Sequence, residues 1–334
     1  MQGYDEQTEV LTSDGWIPFK RLDADYEVAT LVDGRNLAYE KPSEVSVCNY
    51  RGLMHRFKTA NIDLLVTPDQ KLWACELGSN QFNLVSVSEV ADRTVYFELE
   101  IDEVKDSSTS SLFTLPGSED HPARQLDMPS WLLLYGTFVI RGLLVGQRIC
   151  LTLDSVDIAD KLRTACSTLG FTVKDSESID KPVILIDDPQ LYRYLSSSPR
   201  ALGSWVWILS ADYADELLDN IVSAAPVDKD HGFVLRASYR DLIDTVQRLS
   251  VHAGLVTMTS KEGSAHQLRV QYRDDVNAAA KVVGVGQYRR DEGSPCPTPD
   301  VRRTEYRGKV YSCKVTSGVI CVRRNGIVGF SGAS

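Results

Sequence analysis

The residues able to do chemistry are few, and their spacing excludes the commonest sites. His55, His121, His231 and His266 show no metal-ligand spacing, and His252, near a helix C-terminus where a cation would suit the dipole, is read as capping or packing. Seven cysteines, Cys48, Cys75, Cys150, Cys166, Cys296, Cys313 and Cys321, form neither a CxxC pair nor a disulfide framework. That usage fits a reducing compartment, read as the cytoplasm. The sequence closes on VRRNGIVGFSGAS, in which Asn325-Gly326 lies between apolar runs. This is a hairpin signal, because both turn residues must reach positive φ. Such a hairpin carries Ser331-Gly332-Ala333-Ser334 to a defined place, and the Ser334 hydroxyl could attack a carbonyl only with a base beside it. The internal stretch LLVTPDQKLW holds Thr67 and Gln70. Taken alone it is a turn before a strand. Gln70 can donate a hydrogen bond but cannot move a proton near neutral pH.

The elements that must position these residues fall into two textures. Residues 8–100 read as short strands separated by polar turns, and residues 301–330 return to that style. Neither piece closes a sheet alone, so the two are expected to share one domain and cover each other's edges. The middle repeats itself. Residues 148–186 run strand, helix (about 155–168), Gly170, strand, strand; residues 232–272 do the same around a helix from Asp241 to His252 and Gly254. Asp154 and Ser238 stand at expected N-caps, and the two glycines at expected left-handed C′ positions. An apolar helical segment precedes each copy, at 130–146 and 211–225. Joints are expected around 106–123 and 286–300, rich in Ser, Pro, Gly and charge.

Composition bounds the rest. Of 334 residues 43% are hydrophobic and 25% charged, with a net charge of −10. That balance argues against a nucleic-acid-coating surface. No apolar run of about 18 residues exists and the first residues are acidic, so neither a membrane span nor a signal peptide is expected.

A split β domain with a duplicated αββαββ-type insert resembles an intein, a protein-splicing element of the HINT fold, carrying a LAGLIDADG homing endonuclease. TEVLTSDGW resembles the first intein motif, whose Cys or Ser nucleophile would fall at Gly3. LLVTPDQKLW resembles the second, usually T-x-x-H, with Thr67 matching and Gln70 at the His position. GKVYSCKVTSG, VRRNG and SGAS resemble the last two, which normally end in Asn followed by Cys, Ser or Thr; Ala333 and Ser334 hold those places. QLDMPSWLLLYGTFVIRG and GSWVWILSADYADELLDNIVSAAP resemble the two endonuclease motifs. The nearest kin implied are phage terminase-type inteins, with a terminase large subunit as one possible host.

The resemblance implies a mainly β splicing domain, a HINT horseshoe over residues 3–105 and 290–333, interrupted at 106–289 by an α+β pseudo-two-fold LAGLIDADG-like domain. Both junctions would share one site. Thr67 and Gln70 would polarise the upstream scissile peptide, and Ser334 would accept the acyl group. An asparagine in the place of Ala333 would cyclise, helped in many relatives by a histidine where Gly332 stands and by Asp or Cys where Ser312 stands. Cys313 is read as core, on the opposite face of its strand. Gly3 has no nucleophile, Ala333 no side-chain amide and Gly332 no imidazole, so the chain as given is expected to be a stalled precursor. The implied partners are flanking extein segments of a host, with the chain monomeric and no cofactor required. In the insert the two metal-binding acid positions become Arg141 and Ala225, followed by Pro226; Asp219 and Asp228 nearby are read as solvated surface. Neither a cation nor a methyl group binds Mg²⁺. From Arg124 to Lys281 there are 17 basic against 20 acidic residues, whereas DNA saddles need a basic excess. The insert is therefore expected to be a nuclease relic that binds DNA weakly or not at all. The competing readings are a site-specific nuclease on a β scaffold and a hedgehog-type autoprocessing domain.

Overall fold

A computed structural model describes all residues except 77–78, 80, 92, 94, 99, 119, 177–180, 198–201, 226–232, 272–281 and 286–300. The expected joint at 286–300 lies outside the described residues, as do Pro226, Asp228 and His231. The chain divides into two compact units, one of Met1–Lys105 with Gly254–Ser334 and one of Asp106–Ala253.

The first unit is built from strands at both ends of the chain. Glu9–Thr12 pairs antiparallel with Val319–Arg324, matching Glu9 to Arg323 and Val10 to Val322. Its largest sheet runs in the order Glu103–Val104, Asn36–Glu40, Val28–Val32, Glu9–Thr12, Val319–Arg324, Ile327–Gly332, Val256–Glu262, Ala265–Gln271. Every residue of Val319–Arg324 (VICVRR) is buried. Four apolar residues account for a central strand, but two buried arginines require partners. Asn325 and Gly326 take φ of 49° and 81°, and so close the hairpin with the mirror-image turn its twist favours. Gly326 is required by space as well. An added Cβ would lie 2.1 Å from Thr259 O, and Thr259 N donates to Gly326 O at 2.9 Å. The hairpin Val256–Gln271 thus groups with this unit, whereas the sequence alone counted it with the insert.

A long two-stranded ribbon, Glu44–Lys58 against Val301–Lys314, pairs from Glu44 opposite Lys314 to Phe57 opposite Val301. It carries Tyr-Arg-Gly twice, at 50–52 and 306–308, and the two copies face each other. Each tyrosine lies over the glycine two residues on and donates to the carbonyl three residues on, Tyr50 to Leu53 O and Tyr306 to Lys309 O, both at 2.8 Å. The unit's main core gathers Tyr4, Phe19, Phe57, Phe97, Cys313, Val322 and Ala333.

In the second unit the helices Met128–Arg141 and Ala211–Ala224 pack closely at Gly136, where a Cβ would stand 2.9 Å from Asn220 Cβ. A four-stranded sheet runs Gly142–Val145, Arg148–Thr152, Val183–Ile186, Val173–Ser176. Trp131 stacks on Phe113 with ring centroids 4.5 Å apart, and Tyr135, Tyr194 and Trp205 complete that cluster.

Three local expectations need correction. The apolar segment 130–146 is helix only to Arg141. Gly142 leaves the helix in an extended conformation against Phe138, and Gly142–Val145 is a strand. Asp154 is not an N-cap: Ser155 caps Val156–Thr168, while Asp154 binds Lys181 and Arg141. The helix Arg240–His252 begins after Tyr239, and Ser238 lies outside it. By contrast Gly170 and Gly254 take φ of 74° and 69°, the left-handed conformation their places demanded.

Candidate functional site

One buried carbonyl collects the sequence-selected residues of the first unit. Gly332, the last residue of the strand Ile327–Gly332, presents its oxygen to two donors, the Tyr4 hydroxyl and Gln70 Nε2, each at 2.6 Å. Gln70 Nε2 also donates to Lys71 O at 3.1 Å and lies 3.4 Å from the Tyr4 oxygen. Tyr4 and Gln70 are fully buried. Burial drives the Tyr4 phenol above its ordinary pKa, so near neutral pH it keeps its proton and can donate to the Gly332 carbonyl.

The backbone sets this arrangement. Tyr4 N donates to Tyr311 O at 2.9 Å, and Tyr4 O accepts the return bond from Tyr311 N at 3.0 Å, while Thr67 N donates to Gly3 O at 3.1 Å. The segment at Gly3–Tyr4 is therefore held between the ribbon and the strand Asp63–Val66. On the other side, Ala333 N donates to Gly318 O and Ser334 N to Cys313 O, both at 2.8 Å. Gly3, Thr67, Gln70, Gly332, Ala333 and Ser334 come together around Tyr4.

Several details differ from what the motifs implied. The Gln70 amide serves the Gly332 carbonyl and not the upstream peptide at Gly3. The strand end passes so near Lys71 that a Cβ on Gly332 would lie 2.5 Å from Lys71 O, which makes that carbonyl the acceptor in reach. The same closeness leaves position 332 no room for an imidazole. Ser312 is buried but joins none of these hydrogen bonds, whereas Cys313 lies in the core with Tyr4 and Ala333. Burial pushes the Cys313 thiol up to about 12, with Glu40 adding to the shift, so it is no thiolate. Gly3 also fits tightly: a Cβ there would lie 2.9 Å from Val310 Cβ and 3.3 Å from Tyr311 O. Thr67 Oγ1 and Gln70 Oε1 are among the buried polar atoms that have no hydrogen-bond partner among the described residues. An orphaned buried atom costs about 1–3 kcal/mol and calls for an explanation. Sequence reasoning missed Tyr4, whose only signal was an aromatic residue beside Gly3.

In the second unit residues 141 and 225, where the endonuclease resemblance places acids, lie close together. Arg141 ends its helix and donates from Nε to Ala224 O at 2.6 Å, the residue before Ala225, while its guanidinium pairs with Asp154. A guanidinium bonded to a helix-end carbonyl beside a methyl group offers no ligand to a divalent cation, so the residues present do not fit a metal. His252 packs in the core and is no cation at the helix end. It is fully buried against Trp207, and burial, with Arg248 second, pushes it down to about 3.

No family model matches the chain. It is 26% identical over 298 residues to an ATP-dependent Clp protease proteolytic subunit of Chlamydomonas moewusii, covering 78% of this chain and 28% of that protein. To a DNA-directed RNA polymerase subunit beta C-terminal section of Stigeoclonium helveticum it is 22% identical over 410 positions, covering 98% and 36%. The chain thus spans about a third of the curated relatives it matches. Similar solved structures include a glutathione-linked, splice-inactive variant of the AceL NrdHF class 3 split intein (8% identical, TM-score 0.35, 99% of this chain and 98% of that one). The homing endonuclease I-DmoI with DNA and manganese is another (12% identical, TM-score 0.35, 46% and 94%). Likeness of that size does not establish a shared fold. Among the described residues no helix is long and apolar enough to cross a membrane.

Proposed function

We propose that the chain is an intein, an element that excises itself from a host protein and joins the flanking segments, here in a stalled form. The observation that carries this is the Gly332 carbonyl, gripped by Tyr4 from the chain's first segment and by Gln70. A scaffold or binding module has no need to bring residues 3–4 and 332–334 onto one doubly held carbonyl. Thr67 Oγ1 and Gln70 Oε1 are the atoms a flanking peptide would satisfy. The curated relatives support the same reading: a protease subunit and a polymerase subunit have different tasks, yet each contains a stretch like this chain. A self-contained insert accounts for that.

In this reading Ser334 is the acyl acceptor, Gly3 supplies no nucleophile, and Ala333 cannot cyclise. The splicing domain lies in Met1–Lys105 with Gly254–Ser334, and Asp106–Ala253 is a relic of a LAGLIDADG nuclease. The host is a larger protein, for which a terminase large subunit remains our candidate, and splicing needs no cofactor. The meeting of the two helix ends favours a nuclease ancestry for the insert; Arg141 at that place opposes a working nuclease. The test is Ala333→Asn in a chain with a tag beyond Ser334. The Asn side-chain amide can close a five-membered ring on its own carbonyl, so slow release of the tag is expected by mass spectrometry. A tag still attached after days at ambient temperature overturns the reading.

A further inference from the structure

Arg324 is 5% exposed in side chain and ties three separate stretches together. Its Nε donates to both oxygens of Asp5 at 3.1 and 3.2 Å; Nη2 reaches Asp5 Oδ2 and Gln7 Oε1, both at 3.1 Å; Nη1 reaches Asp63 Oδ1 at 2.8 Å. Asp63 is completed by Arg56 Nη2 at 2.9 Å and Asn325 Nδ2 at 2.8 Å, and Asp5 by the Thr8 hydroxyl at 2.7 Å. Two cations face two carboxylates, so the cluster is neutral and closed.

Such a cluster is a poor device for stability alone, because apolar residues of similar volume often serve as well. Its place in the chain gives it another use. Asp5 follows Tyr4, and Arg324 stands at the turn end of the hairpin whose other end is Gly332. The first segment is thus fixed to the last hairpin twice, by Asp5 at the turn and by Tyr4 at the strand end. We propose that Arg324 is a positioning residue, whose planar fork sets Tyr4 against the Gly332 carbonyl and so registers residue 3 with residue 333. Its role in a reaction rests on the splicing reading; its role in placing Tyr4 does not. A lysine keeps the charge but cannot present a fork to Asp5 while reaching Asp63.

The test uses the chain as it stands, with ¹³C label on the tyrosine Cζ atoms and Tyr4→Phe to identify the Tyr4 resonance. In the unaltered chain, burial of the Tyr4 phenol is expected to keep it protonated through the range near pH 10 where exposed tyrosines titrate. In Arg324→Lys, folded by circular dichroism, Tyr4 is expected to titrate in that range. Should this variant fail to fold, Asp5→Asn with Arg324→Gln removes one charge of each sign and leaves Arg56–Asp63 paired; the same shift is expected. A merely structural Arg324 lowers the melting temperature and leaves the Tyr4 titration unmoved, which overturns the proposal. In the Ala333→Asn chain, Arg324→Lys is expected to slow cleavage about 10²-fold, as for a misplacement of about 1 Å. Failure of Ala333→Asn itself to cleave overturns the splicing reading and leaves the Tyr4 titration to decide on Arg324.

Discussion

Replacing Gly332 tests the packing of the site directly. A Cβ there would meet Lys71 O at 2.5 Å and Lys71 C and Cβ at 2.9 Å, mostly backbone atoms that cannot swing aside. Overpacking of this kind costs about 1–3 kcal/mol. Any shift of residue 332 also weakens the two 2.6 Å hydrogen bonds onto its carbonyl, each worth about 0.5–1.5 kcal/mol. Gly332→Ala should therefore lose about 2–6 kcal/mol, which for a unit of this size lowers the melting temperature by roughly 4–24 °C. Gly329 is the control in the same strand, because a Cβ there meets only the tip of Ile62, at 3.2 Å. Gly329→Ala should change stability by less than about 1 kcal/mol. Urea unfolding of the two variants, followed by tryptophan fluorescence, gives both numbers. The same clash bears on chemistry: in the Ala333→Asn chain, Gly332→His should slow cleavage, although many inteins carry a histidine there. Equal stability of the two alanine variants, or cleavage that Gly332→His leaves as fast or makes faster, would refute the packing argument.

Two further outcomes follow from charge and burial. Burial raises the Asp63 carboxyl, but the Arg56 and Asn325 hydrogen bonds and the Arg324 charge outweigh it and hold it below its ordinary value. Its contribution is therefore fully present above about pH 4 and fades as pH falls through the lower folded value; the stability gap between the unaltered chain and Asp63→Asn should be constant near neutrality and shrink in acid, as urea titrations at several pH values can measure. The Cys313 thiol, pushed up by burial to about 12, should resist a thiol reagent at pH 8 in the folded chain while exposed Cys48 reacts, and Cys313→Ser should leave the fast phase unchanged.

What could be read from the sequence was local. Asn325-Gly326 announced its turn because only special residues reach positive φ, and Gly170 and Gly254 announced helix ends for the same reason. The helix Val156–Thr168 followed from its apolar period and a nearby cap. What could not be read depends on partners far along the chain. VICVRR shows no alternation, and nothing within it says that Arg324 meets an Asp5 lying 319 residues away. Gln70 matched a motif position, but its aim at Gly332 is set by how closely another strand passes Lys71. The helix from Met128 looked longer because Gly142-Leu143-Leu144-Val145 is as apolar as what precedes it; only the packing of Gly142 on Phe138 ends it.

On the proposed reading of the second unit as a nuclease relic, the same contrast explains how it keeps its fold without a nuclease's acids. The C-terminus of a helix is its negative end, with carbonyls that lack partners inside the helix. Two carboxylates placed where two such ends meet, as the endonuclease motifs require, repel both the dipoles and each other unless a divalent cation binds between them. Arg141 reverses every sign in that account. Its guanidinium sits at the end of its own helix, donates to Ala224 O at the end of the other, and pairs with Asp154. Ala225, 6% exposed, needs no counter-ion. An arrangement that in a metal enzyme depends on its ion is here satisfied by the chain itself, so the physical forces on these two helix ends favour keeping the pair without an ion.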